Sequence, residues 1–162
     1  MKVPRPVYWP KYWPNTFWIT PALLLTAGIA VAATPADGIR HRIAGYRALG
    51  AAFKTINDTI RSGDFQSVRL RQAAGQITAT SRMQYQWFPA STGPQAGIKT
   101  AARQEIWSRA GEFRAAQDEF ARQAAVFERT VASGDEAAIR SGARQLGAKC
   151  KACHDSYRLS DD

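Results

Sequence analysis

The residues of this chain with the clearest chemistry are Cys150-Lys151-Ala152-Cys153-His154, eight residues before its last residue, Asp162. Two thiols three apart share one face of a helix, and an imidazole follows at once. C-x-x-C-H is the attachment sequence for a c-type haem. Each cysteine can form a thioether to a haem vinyl group, and His154 can present a ring nitrogen to the iron as its axial metal ligand.

Other chemistries fit less well. A redox dithiol opens a helix after a strand, and no segment here alternates with period two. A zinc site needs four ligands. Cys150, Cys153, His154 and His41 make four, but adjacent Cys153 and His154 point about 100° apart on a helix. A disulfide across two helical residues is strained. The chain also lacks a constellation of acid, base and nucleophile, so it is not read as an enzyme.

The elements that must position this motif follow from periodicity. Ile39, Ile43, Tyr46, Leu49, Phe53, Ile56 and Ile60 form one helical stripe over roughly Ile39 to Arg61. Ser62-Gly63-Asp64 ends that helix and caps the next. A weaker stripe, Val68, Ala73, Ala74 and Ile77, predicts a second helix from about Phe65 to Gln84. Trp87-Phe88-Pro89 and a Gly/Pro/Ser-rich stretch mark a long loop. A third helix is expected from about Thr100 to Ala132, with Ile106, Ala110, Phe113, Phe120, Ala124, Phe127 and Val131 inward and Gln117 as the one polar member. Ser133-Gly134-Asp135 breaks it. The last helix runs from about Asp135 to Arg158, with Ile139, Ala143, Leu146, Cys150, Cys153 and Tyr157 in line. The pattern predicts an all-α fold, an antiparallel four-helix bundle. Helices of this length reach about 30 Å, and the thin seam between them has room for a flat cofactor.

Composition agrees. The chain has 162 residues, 45% hydrophobic and 22% charged, as in a globular protein. That size suits one domain, and two cysteines rule out a disulfide-dense scaffold. Residues 1–15 carry Lys2, Arg5 and Lys11 and no acid. The uncharged run 16–33 ends in Ala30-Val31-Ala32-Ala33. Residues 1–33 therefore read as an export signal or an N-terminal membrane anchor, with the apolar segment 16–33 able to tether the chain. Residues 34–162 are the bundle, and the expected location is periplasmic. Without the leader, 19 basic residues face 13 acidic ones. The arginines are scattered and not interleaved with aromatics, so no nucleic acid is expected as a partner.

A motif this close to the end of an all-α chain resembles the class II cytochromes, the cytochrome c′ and cytochrome c-556 family. The resemblance rests on Arg42-Ile-Ala-Gly-Tyr46-Arg-Ala-Leu49-Gly50, on Glu105-Ile106-Trp107, and on CKACHDSYR at the end. It implies one covalent haem c through Cys150 and Cys153, with His154 proximal. In this family the residue four after the helix-A arginine faces the other side of the iron. Here Arg42 is followed by Tyr46, where a Met would give a six-coordinate c-556. A phenol with pKa about 10 stays neutral and binds iron weakly. The resemblance therefore implies five-coordinate iron that takes small diatomics, NO and CO. Leu49 and Phe53 line or flank the same pocket, Arg42 approaches a propionate, Trp107 lies near the haem edge or packs as core, and Arg158 lies near the proximal imidazole. A homodimer through the first two helices is also implied. The competing readings are six-coordinate electron transfer and a membrane-tethered haem module of a respiratory complex. Met83 and His41 fit poorly as sixth ligands, Met83 beside a polar run and His41 on the far side of its helix. The sequence does not name a redox partner protein.

Overall fold

The structure, a computed structural model, describes residues 34–160. The expected leader or anchor, residues 1–33, lies outside the described residues. Among the described residues no helix is long and apolar enough to cross a membrane.

Four long helices form the bundle: α1 (Pro35–Ser62), α2 (Val68–Met83), α4 (Ala110–Ser133) and α5 (Glu136–Tyr157), with a single turn, α3 (Glu105–Ser108), before α4. α1 begins four residues earlier than periodicity suggests because Thr34 caps it. Asp37 N donates to Thr34 Oγ1 at 3.2 Å, and Thr34 N donates to Asp37 Oδ2 at 3.0 Å, a reciprocal capping box. Pro35 occupies the first helical position, where its missing N–H costs nothing. The two Ser-Gly-Asp breaks end helices as expected. Gly63 and Gly134 adopt φ of 77° and 73°, a left-handed cap that a Cβ disfavours. Asp135 then caps α5, accepting from Ala138 N at 2.9 Å. α2, however, starts later than predicted. Ser67, not Asp64, is its cap and accepts from Leu70 N at 3.2 Å.

The third predicted helix is corrected at its start. Residues 100–104 are not helical, because their backbone pairs with the chain after α5. Arg103 N donates to Tyr157 O at 3.0 Å and Leu159 N to Ala101 O at 2.8 Å, around an isolated antiparallel bridge between Ala102 and Arg158. At Arg109 the backbone leaves the helical region, with φ −125° and ψ 49°. That break turns Ala110 out of the stripe to the surface.

The main core runs through the bundle, with Ile56, Leu70, Phe127, Ile139 and Leu146 fully buried, and Ile106, Phe113 and Tyr157 form a second, smaller cluster. Gln117, the polar member of its stripe, is buried opposite Gln84. Gln84 Nε2 donates to Gln117 O at 3.2 Å, and Gln117 Nε2 donates to Gln84 O at 3.1 Å. The pair satisfies both amides and fixes where α2 ends against α4.

A candidate haem cavity between α1 and α5

A cavity of about 650 Å³ opens between α1 and α5, within the size range of pockets that take a cofactor-sized ligand. α5 supplies Cys150, Cys153, His154 and Tyr157 to its wall, and Arg158 follows at the helix end. The helical period places Cys150, Cys153 and Tyr157 in one line, with His154 beside it at the rim. The thiols are half-buried and not joined to each other. Burial, reinforced by the neighbouring Cys150, pushes the Cys153 thiol up to about 11. Burial raises Cys150 as well. His154 is held below the ordinary imidazole range, first by burial and then by the Arg158 charge, with Asp155 opposing. A neutral imidazole is the form that ligates metal.

α1 forms the opposite wall with Arg42, Tyr46, Leu49 and Phe53. Burial drives the Tyr46 phenol well above its usual range, Cys153 adds to this, and Arg42 opposes it. The hydroxyl has no hydrogen-bond partner among the described residues, and the ring packs edge-on to Trp87 at 4.9 Å.

Arg42 is 3% exposed. Its guanidinium donates to Thr100 Oγ1 at 2.9 Å and Thr92 Oγ1 at 3.2 Å, and it stacks 4.8 Å from the Phe88 ring. Among the described residues no carboxylate lies within ion-pair distance of it. Burial lowers its pKa, with Tyr46 opposing. A buried cation without a counter-charge is costly, so this cavity invites an anionic group at its Arg42 end.

Eight of the nine residues singled out from sequence line this one cavity: Arg42, Tyr46, Leu49, Phe53, Cys150, Cys153, His154 and Arg158. Trp107 does not. It stands behind Phe88, 6.0 Å ring to ring, and its indole donates to Pro89 O at 3.3 Å. Met83 is 50% exposed and His41 is on the surface, and neither lines the cavity.

Sequence reasoning missed Phe88, Phe113 and Tyr157 as wall residues. They stack edge-on in series, Phe88 on Phe113 at 4.8 Å and Phe113 on Tyr157 at 4.9 Å. The signal was present for Phe88. An aromatic pair in a loop otherwise rich in Gly, Pro and Ser must find burial somewhere.

The residues fit a covalent porphyrin. Two thiols lie on one helix line, an imidazole adjoins them, the walls are largely apolar, and an uncompensated buried guanidinium is placed to meet a carboxylate. The family comparison is decisive, because residues 37–158 match the family described as Cytochrome C′. The chain belongs to the cytochrome c′ family. It is 30% identical over 138 residues to the cytochrome c′ of Rhodospirillum rubrum, covering 85% of this chain and 92% of that one. The crystal structure of cytochrome c′ from Rubrivivax gelatinosus superposes with a TM-score of 0.70 at 25% identity, over 77% of this chain and 97% of that one. A nitric oxide complex of a cytochrome c′ variant from Alcaligenes xylosoxidans superposes with a TM-score of 0.71 at 24% identity, over 79% and 98%. The prosthetic group of the cytochrome c′ fold is one covalent haem c, and Cys150 and Cys153 are the thiols that hold it here.

Proposed function

We infer that this cytochrome c′ is an exported, periplasmic haem protein that binds NO or CO on the Tyr46 side of its iron and is not an enzyme. When bound, the haem supplies one-electron redox chemistry and an iron coordination position. His154 of α5 would ligate the iron, and Arg42 would meet a propionate with charge-assisted hydrogen bonds. Arg158 would lie beside the ligating imidazole. The observation that carries the reading is the α1 wall itself. Tyr46, Leu49 and Phe53 face the cysteine helix, and none is a strong ligand for iron. A neutral phenol and two hydrocarbons exclude water and charged ligands while leaving room for an uncharged diatomic. The nitric oxide complex of the Alcaligenes relative is consistent with this. A homodimer through α1 and α2 belongs to the same reading, with Val68 of α2 58% exposed.

Titration of the reduced holoprotein with CO and NO, followed by absorption, tests the reading. Saturable one-to-one spectral shifts are expected. A reduced spectrum indifferent to both gases would indicate a sixth protein ligand and electron transfer of the c-556 kind.

A further inference from the structure

Trp87 lies in the connection between α2 and α3 and is 2% exposed. Its ring fills the space that a side chain at position 45 would take. A Cβ on Gly45 would lie 2.2 Å from Trp87 Cζ2. Gly38, Arg42 and Gly45 share one face of α1 by their spacing of four and three. A Cβ on Gly38 would lie 2.8 Å from Thr92 Cγ2, and Arg42 between the two glycines donates to Thr92 Oγ1 at 3.2 Å. The segment 87–92 is therefore pressed along that face. In this seat Trp87 meets Tyr46 edge-on, with ring centroids 4.9 Å apart and planes at 76°. Trp87 Nε1 is buried and has no hydrogen-bond partner among the described residues. An unpaired buried donor costs stability, so the indole contributes bulk and shape here rather than a polar contact. Trp87 does not line the cavity, whereas Tyr46 does.

We propose that Trp87 is a positioning residue. Seated in the notch at Gly45, it limits the swing of Tyr46 and thereby sets how fast small ligands reach the distal side. This rests on the reading of Tyr46 as the distal cover. A tight aromatic back-stop slows the rotation that opens the path, and a smaller one frees it.

The test is CO association with the ferrous holoprotein after flash photolysis, together with the C–O stretching frequency of the bound gas. Trp87→Phe is expected to raise the association rate about three-fold and to shift or broaden the stretch, and Tyr46→Ala to raise the rate about ten-fold. The double variant should match Tyr46→Ala alone, because Trp87 acts through Tyr46. Ile139→Val, a core truncation about 16 Å along α5 from Cys150, should lower thermal stability without moving the rate or the stretch. Trp87→Tyr replaces Trp87→Phe if the latter does not fold. A fast Tyr46→Ala with an unchanged Trp87 variant overturns the inference alone, as does a double variant whose effects multiply. An unchanged Tyr46→Ala overturns the distal reading and this inference with it.

Discussion

The Arg42 guanidinium donates a hydrogen bond to Thr100 Oγ1 at 2.9 Å, tying the first third of α1 to the segment that leads into α3. That tie holds a positive charge at one end of the cavity, with no carboxylate among the described residues within ion-pair distance. Arg42→Met keeps the length and removes the charge. The midpoint potential should fall by tens of mV, because a nearby cation favours the more electron-rich ferrous state. Spectroelectrochemical titration measures it, and an unchanged potential would argue against a place beside the haem.

Gln84 and Gln117 exchange hydrogen bonds in the core. Gln117→Leu removes one donor, while the Gln84 carbonyl keeps its bond from Trp87 N at 3.1 Å. The expected loss is about 0.5–1.5 kcal/mol, seen as a melting temperature lower by about 4 °C for each kcal/mol. CO binding should change little. A variant as stable as the parent would show that the clasp is dispensable.

Burial raises the Tyr46 phenol above its unfolded value. The folded state then holds its proton when the unfolded state has lost it. This contribution to stability is complete below pH about 10 and is lost as pH rises through the folded value. Melting temperatures from pH 8 to 11 should therefore fall on the alkaline side, and Tyr46→Phe should flatten that fall. Equal slopes would place the phenol in contact with water.

The four long helices were legible because their apolar residues recur at steps of three and four, and the Ser-Gly-Asp breaks because a left-handed cap wants glycine. The cavity was legible too, since Cys150, Cys153 and Tyr46 lie on stripes that must face one another. What escaped was non-local. Residues 100–104 read as helix, yet their backbone bonds go to Tyr157 and Leu159, some 55 residues away in sequence. No local pattern announces such a partner. Gly45 gave no sign that it was a seat for Trp87, because a helical glycine says only that something comes close. The place of Trp107 beside Glu105 and Ile106 leaves haem edge and core both open, and the layer formed by Phe88 between Trp107 and the cavity is not legible from α3 alone.

Removing one thiol tests the attachment separately from the fold. Cys150→Ser and Cys153→Ser should each yield protein with a single thioether, whose pyridine haemochrome band shifts to longer wavelength. The double variant should lose haem on acid–acetone extraction. Full retention in the double variant would mean that neither cysteine holds the group.

The central claim is an iron with His154 on one side and no protein ligand on the Tyr46 side. Low-temperature EPR of the ferric holoprotein, purified from a host that matures c-type haem, reads this directly. A predominantly high-spin signal is the predicted result. A rhombic low-spin signal at neutral pH, unchanged in Tyr46→Ala, would contradict it.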